Sequence, residues 1–242
     1  MDTLFSRTEL LLGTEILAAL QNHHVLIAGL GGVGSFVAEA LGRVGIKHLT
    51  LIDHDVVTPS NLNRQLVALH STLGQQKTAI MAARLRDIYP QIELTLVNEF
   101  LHAHEVETFI AQGQFDYVAD CIDTLACKAA LVAACWRQQV PIISSLGAGN
   151  RLDVSQVQVT ELAQTQRCAV ASVLRRRLRK LQVPLNYPVV YSTESSRLSA
   201  PPQEQSTPAQ PSRTINGSIA YLPALFGMMV AGVIIQKLMC FK

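Results

Sequence analysis

The sequence contains no pair of cysteines in CxxC spacing and no secretory signal. Its five cysteines are irregularly spaced, at Cys121, Cys127, Cys135, Cys168 and Cys240. The first residues, MDTLFSRTELLLG, carry an acid at Asp2 and lack the apolar core that a signal peptide needs. An odd number of cysteines without such a signal predicts reduced thiols in a cytoplasmic enzyme.

Charge of either sign is also scarce. Charged residues make up 16% of the 242 residues, and the formal net charge is +2. A chain so close to neutrality is not a histone-like binder of polyanions, although a local basic patch is compatible with it. Hydrophobic residues make up 49%, which is enough for a substantial core.

One long apolar run, residues 217–241, approaches the length of roughly 20 residues that a membrane-spanning helix needs. Pro223, Gly227 and Gly232 interrupt it, and Gln236 and Lys237 lie near its end. We therefore predict a buried or subunit-contacting helix and no membrane association.

Apolar runs alternate with helical patterns through the first 150 residues. Five runs predict buried strands: HVLIAGL, HLTLID, ELTLVNEF, FDYVADCID and VPIISSLGAG. Helical patterns with apolar residues at intervals of three and four separate them. This order predicts an α/β fold, a Rossmann-like, doubly wound and mainly parallel sheet with helices on both faces.

We expect one domain, residues 1–242, with four parts. Residues 1–20 contain an amphipathic helix over 8–20, and residues 21–150 form the nucleotide-binding core. Residues 151–214 combine an exposed strand, a basic helix and a mobile loop at 195–213, which is rich in Pro, Ser and Gln. Residues 215–242 contain the apolar helix.

The stretch GLGGVG follows the first predicted strand and precedes a helix. Its glycines Gly29, Gly31 and Gly34 have the spacing GxGxxG, which permits a tight turn and lets a phosphate approach the backbone. Asp53 ends the second strand about 20 residues later, where an acid can bind ribose hydroxyls. These features predict a dinucleotide and ATP equally.

A polar set after the second strand favours ATP. It comprises Asn61, Asn63, Arg64, Gln65 and Lys77. Cleavage of ATP between the α and β phosphates builds negative charge that arginine and lysine stabilise. Magnesium prefers one or two carboxylates together with phosphate oxygens, and the fourth strand supplies Asp120 and Asp123. We favour Asp123 because it is nearest the carboxyl end of that strand.

Four segments together resemble the ubiquitin-activating-enzyme-like adenylating family, which is also called the ThiF/MoeB/HesA family. They are GLGGVG, DHDVVTPSNLNRQ, GQQK and DCIDTLACK, and the resemblance covers residues 5–150. The segments FSRTELLLG and NGSIAYLPALFG look like the branch of this family that dehydrates threonylcarbamoyladenosine in tRNA.

The resemblance implies a role for each matching residue. ATP is held by the glycine turn, with Gly32 included, and by Asp53. Contacts with the phosphates are implied for Asn61, Arg64 and Gln65. Lys77 matches the family's lysine, and Asp123 matches its magnesium ligand.

Arg7 matches an arginine that reaches the ATP of the other subunit in a homodimer. The alternative for Arg7 is a charged side chain that only faces solvent. Lys128 matches a basic position after the acidic motif; its alternative is a lysine that caps a helix or faces solvent.

The sequence also departs from relatives in this family. Activators of the thiamine and molybdopterin pathways carry two CxxC pairs for structural zinc, so we expect no zinc here. Ubiquitin-type activators form a thioester on a cysteine, but no cysteine lies between Cys168 and Cys240. Cys168 is a candidate nucleophile or an ordinary thiol, and Cys121, Cys127 and Cys135 read as core or helix residues.

The basic helix is a candidate tRNA contact, with a solvated helix face as its alternative. Its charges are Arg175, Arg176, Arg177, Arg179 and Lys180.

The resemblance implies an ATP- and magnesium-dependent, ligase-class enzyme that adenylates the threonylcarbamoyl carboxylate on tRNA and closes a ring with loss of AMP. Two alternatives remain open. One is an activator of a sulfur-carrier protein with a Gly-Gly end, which implies a sulfur-transfer partner. The other is an NAD-dependent oxidoreductase, for which Lys77 has no role.

Overall fold

The structure is a computed structural model that describes residues 4–196 and 216–239. Residues 197–213 of the predicted mobile loop, and Cys240, lie outside the described residues.

A seven-stranded sheet organises the fold, with the strand order β3-β2-β1-β4-β5-β7-β6. The strands are β1 His24–Ala28, β2 His48–Ile52, β3 Glu93–Val97, β4 Tyr117–Asp120, β5 Ile142–Ser145, β6 Val157–Glu161 and β7 Pro188–Ser192. All neighbouring strands are parallel except the edge pair of β6 and β7. The predicted mainly parallel α/β sheet is confirmed.

Helices cover both faces of this sheet. They are α1 Ser6–Leu12, α2 Thr14–Gln21, α3 Gly34–Val44, α4 Lys77–Ile88, α5 Val106–Gly113, α6 Leu125–Arg137, α7 Ala169–Lys180 and α8 Tyr221–Met239. Helix α3 packs between α4 and α8 in one layer, and α6 packs between α5 and α7 in the other. Each layer has its own cluster of buried hydrophobic side chains against the sheet.

The predicted helix over residues 8–20 is wrong as a single element. Gly13 has a φ of +84° and divides the segment into α1 and α2. Leu17 and Leu20 on α2 are buried as the pattern indicates, whereas Leu10 and Leu11 on α1 are 81% and 82% exposed. Leu12, at the end of α1, packs against the core, so Leu10 and Leu11 are the leucines of this helix that face solvent.

Strand β7 was missed by the sequence reading, although Val189, Val190 and Tyr191 have high strand propensity. It inserts between β5 and β6, and it gives the exposed strand β6 an antiparallel partner. The chain runs from β6 through the basic helix α7 to β7, so no short hairpin joins the two strands. The local sequence pattern therefore could not show that β7 pairs with β5 and β6.

Helix α8 is the one helix in the described part of the chain that is long and apolar enough to cross a membrane. It packs against α2, α3, β5 and β7. Side chains including Leu222, Phe226, Val230, Ile234 and Leu238 are buried there. These contacts are those of the buried helix that the sequence predicted.

Glu39 links two helices of the same layer. Its carboxylate, on α3, accepts hydrogen bonds from Arg43 on the same helix and from Arg84 on α4. Burial opposes its ionisation, but the two arginines outweigh burial and hold the pKa of Glu39 below its usual value. This contribution to stability is present above the unfolded-state pKa and is lost as the pH falls through the lower folded-state pKa.

We expect Glu39→Gln to lower the free energy of unfolding by about 1 kcal/mol at pH 7, because part of the pair is exposed to solvent. The difference from the parent protein should shrink at pH 4, where unfolded Glu39 is increasingly protonated. Urea unfolding at both pH values measures this, with the exposed Glu161→Gln as the matched control. An equal difference at pH 7 and pH 4 would contradict the assignment.

Candidate active site

A cleft opens where the chain changes direction in the sheet, at the carboxyl ends of β1 and β4. Strand β1 connects to β2 on one side, whereas β4 connects to β5 on the other. Open α/β sheets bind ligands at such a switch point. The loops that follow β1, β2, β4 and β5 line a cavity of about 320 Å³ there.

The glycine turn after β1 forms one wall of this cavity through Gly29, Gly31 and Gly32. Gly29 has a φ of +93°, and a Cβ there would lie 2.9 Å from the carbonyl oxygen of Cys121. A Cβ on Gly34 would lie 1.7 Å from the carbonyl oxygen of Gly29, so the turn needs glycine at both positions. Gly34 does not line the cavity; it begins α3, whose positive end faces the cavity.

Asp53 lies at the end of β2 and lines the cavity. Its carboxylate accepts hydrogen bonds from the N–H of Leu30, at 2.6 Å, and from the N–H of Asp55, at 2.8 Å. Asp53 therefore fastens the glycine turn to β2, a role that the sequence did not reveal. A carboxylate has about four lone-pair sites, so two remain for ribose hydroxyls.

Lys77 is the first residue of α4 and lines the same cavity. The residue is only 3% exposed, and its Nζ lies 2.8 Å from Oδ2 of Asp55. Asp55, which is half exposed, was not singled out by sequence reasoning, although it lies only two residues beyond Asp53. The pair holds the ammonium group at the positive end of α4, where the helix dipole also favours an anion.

Arg64 and Gln65 complete the polar wall. Arg64 Nη1 donates to the carbonyl oxygen of Ser60 and to Oδ1 of Asn63, both at 2.8 Å. Gln65 Oε1 is buried and has no hydrogen-bond partner among the described residues. An unsatisfied buried acceptor costs about 1–3 kcal/mol, so it marks a place where a bound donor would be favourable.

Asn61 does not belong to the lining. Its Oδ1 accepts a hydrogen bond from the N–H of Thr58, at 3.2 Å, and caps the short 3-10 helix Pro59–Asn61. Asn61 thereby shapes the segment that carries Arg64, and its contact with phosphate stays a prediction.

The two acids near the end of β4 differ in their surroundings, because Asp120 is the last residue of the strand and Asp123 lies in the loop that follows. Asp123 is exposed and lines the cavity, whereas Asp120 is fully buried. Asp120 Oδ2 lies 2.8 Å from Nζ of Lys128, which is 2% exposed. Lys128 thus neither caps a helix nor faces solvent, so that alternative is wrong, because the buried carboxylate needs a counter-charge.

The acids of the cavity offer oxygen ligands for a cation. Ligand atoms of Asp53, His54 and Asp55 lie within 4.8 Å of one another. The Asp53 and Asp55 carboxylates are already engaged by backbone N–H groups and by Lys77. Within the described part of the chain Asp123 has one hydrogen bond, a 3.3 Å contact with Thr124 Oγ1, so its carboxylate best fits magnesium, which keeps most of its ligands as water and phosphate.

A family model for the ThiF family matches residues 5–242. The chain belongs to the ThiF family.

Two similar proteins span almost the whole chain. The tRNA threonylcarbamoyladenosine dehydratase of Bacillus subtilis is 36% identical over 240 residues, which cover 97% of this chain and 94% of that protein. A crystal structure of the E. coli tRNA N6-threonylcarbamoyladenosine dehydratase in complex with ATP superposes with a TM-score of 0.85. It is 35% identical, with 97% of this chain and 93% of that chain covered. The E. coli molybdopterin-synthase adenylyltransferase is 39% identical, but over 56% of this chain and 53% of that protein.

The cysteines of this ThiF-family chain are poor nucleophiles where they meet the cavity. Cys121 and Cys127 line it, and burial, the largest cause, raises the pKa of both thiols, that of Cys121 to about 12. A thiol with a raised pKa is protonated and unreactive at neutral pH. Cys168 lies outside the lining, where its sulfur accepts the N–H of Ala171 and caps α7.

Arg7 lies outside the lining of its own chain's cavity and is exposed on α1. The neighbouring Phe5 packs against Gly45, at the far end of α3. Helix α3 begins at the cavity and has 11 residues, so its two ends are about 16 Å apart. Arg7 is therefore placed away from the nucleotide cavity within one chain.

The basic helix α7 presents four exposed charges, Arg176, Arg177, Arg179 and Lys180. Arg175 differs from the other four because its Nη1 donates to the carbonyl oxygens of Leu162 and Thr165. Arg175 therefore anchors the segment before α7 and is not part of the exposed basic surface.

Proposed function

We propose that this protein is an ATP-dependent tRNA threonylcarbamoyladenosine dehydratase. The observation that carries the proposal is the near-complete coverage by proteins of that name, one of them with ATP bound. The reaction joins the threonylcarbamoyl carboxylate to the α-phosphate of ATP and releases pyrophosphate. An internal attack on the activated acyl carbon then expels AMP and closes a ring, with net loss of water.

The phosphates of ATP lie against the glycine turn in this proposal. Gly31 and Gly32 leave room for them, and the N-termini of α3 and α4 attract them. Lys77 and Arg64 stabilise the charge that builds on the α-phosphate and on the departing pyrophosphate. Gln65 and Asp53 orient the nucleotide, since both lie in the cavity wall with acceptor capacity left.

Asp123 is the proposed magnesium ligand. The exposed carboxylate of Asp123, which follows β4 in the cavity wall, would hold the ion. Bound magnesium would neutralise phosphate charge and so make pyrophosphate a better leaving group.

We also propose that the protein acts as a homodimer in the cytoplasm. Arg7 cannot serve its own cavity from the far end of α3, and the exposed Leu10 and Leu11 share its helix. Contact with a second copy through α1 would bury both leucines and would give Arg7 access to the neighbouring ATP. The exposed charges Arg176, Arg177, Arg179 and Lys180 are the proposed phosphate contacts of tRNA.

Ring closure needs orientation of the acyl adenylate more than it needs a protein nucleophile. The high pKa of Cys121 supports this view, because the thiol is protonated at neutral pH. No covalent enzyme intermediate is part of the proposed course.

The proposal is tested with protein, ATP, magnesium and tRNA that carries threonylcarbamoyladenosine. We expect AMP to form in proportion to modified tRNA, and we expect the nucleoside to lose the mass of one water. Unmodified tRNA is the matched control. AMP formed equally with unmodified tRNA or without RNA would overturn the substrate assignment.

The sulfur-carrier alternative rests on the similarity to molybdopterin-synthase adenylyltransferase, which covers 56% of this chain. It predicts AMP formation with a Gly-Gly-tailed protein in place of tRNA. The oxidoreductase alternative gives Lys77 no role, which disagrees with its burial beside the cavity.

A further inference from the structure

Four aromatic rings form a continuous series at the mouth of the nucleotide cavity. His54 and Phe100 have ring centroids 4.9 Å apart, Phe100 and His102 are also 4.9 Å apart, and His102 and His104 are 5.6 Å apart. We call these four residues, His54, Phe100, His102 and His104, the aromatic ladder. They come from two loops, one after β2 and one after β3.

The aromatic ladder leads outward from the cavity. His54 and Phe100 line the cavity, whereas His102 and His104 do not. All four residues are exposed, Phe100 at 36%. A contiguous exposed series of rings offers flat faces on which another planar group can stack.

Charges around the aromatic ladder indicate what part of a nucleic acid it fits. His54 Nε2 lies 3.2 Å from Asp55, and His104 Nε2 lies 3.6 Å from Glu105. Glu99, next to Phe100, also lines the cavity mouth. These carboxylates repel phosphates but not base faces, and every nucleobase has a π face that stacks on such rings.

We propose that His102 and His104, the two residues of the aromatic ladder that lie outside the cavity, stack against unpaired RNA bases next to the modified adenosine. This inference rests on the proposed function, which requires an RNA nucleotide to enter the cleft. The exposed cations of α7 would contact phosphates farther along the RNA, so the two surfaces divide the recognition of bases and backbone.

The test is the double variant His102→Ala/His104→Ala. We expect the KM for modified tRNA to rise roughly tenfold, the usual size of a lost base-stacking contact. The dissociation constant of ATP, measured without RNA, should stay unchanged because neither histidine lines the cavity. The variant His102→Phe/His104→Phe should restore the KM, since phenylalanine keeps the stacking surface.

Trp136→Ala is the matched control, because Trp136 is an exposed aromatic residue near the end of α6, away from the cleft. It should leave the KM for tRNA unchanged. If the parent protein dehydrates tRNA and the KM of His102→Ala/His104→Ala for modified tRNA is unchanged, the inference is overturned. Weaker ATP binding with unchanged KM for tRNA would also overturn it and would assign the aromatic ladder to the nucleotide. Failure of the proposed function itself would show as an inactive parent protein.

Discussion

Lys77→Met is expected to lower the rate of AMP formation by about 100-fold or more, as the loss of one charged group at a developing negative charge does in other enzymes. The ammonium group lies in the cavity wall at the N-terminus of α4, where the phosphates are proposed to bind. Methionine keeps the length and apolar character of the side chain but carries no charge. The measurement is AMP release with saturating ATP and modified tRNA.

Unfolding should not explain this loss. Asp55, the partner of Lys77, is half exposed and can be solvated when the lysine is removed. The thermal midpoint of Lys77→Met should therefore stay within a few degrees of the parent value. Lys237→Met, at an exposed lysine near the end of α8, is the matched control and should keep full activity. A fully active Lys77→Met would contradict the role proposed for Lys77 in stabilising the phosphates.

Lys128→Met is expected to lower the free energy of unfolding by about 3–5 kcal/mol, because it leaves the buried carboxylate of Asp120 without a counter-charge. Lys128 Nζ also donates to the carbonyl oxygen of Ser145, at 3.0 Å, which ties β4 to β5 below the cleft. Urea unfolding measures the loss.

The double variant Asp120→Asn/Lys128→Met separates the charge from the packing. Removing both charges should recover much of the stability, because a neutral amide can keep the hydrogen bond from Ser144 Oγ. A double variant that is less stable than Lys128→Met would show that Lys128 acts through its packing. Such a result would contradict our view that it neutralises Asp120.

The sequence predicts the candidate nucleotide site wherever a residue of suitable chemistry stands at a predicted strand end or helix start. Gly29, Gly31, Asp53 and Lys77 each lie beside a strand end or a helix start that local pattern predicts. In a parallel sheet the carboxyl ends of the strands share one edge, so these residues had to converge there. The five parallel strands of the core were predicted for the same reason, since their continuous apolar runs are distinctive.

Other features depended on which neighbours the fold supplies. The side chains of Asn61 and Arg175 bond to the backbone of nearby segments, a structural role that the sequence does not show. Lys128 is charged and follows an acidic motif, and only the packing of β4, β5 and α6 shows that it is buried. The aromatic ladder joins His54 to residues more than 40 positions away, through contacts that local pattern does not encode.

The sequence by itself determined the parallel sheet, the glycine turn and the groups proposed to bind ATP, because periodicity and residue chemistry are local properties. The tertiary structure decided which of those groups face the cavity, which instead hold the scaffold together, and where Arg7 lies. The physical reason is that a polar side chain bonds to whatever donor or acceptor the fold brings within about 3 Å, and that neighbour is usually distant in the sequence.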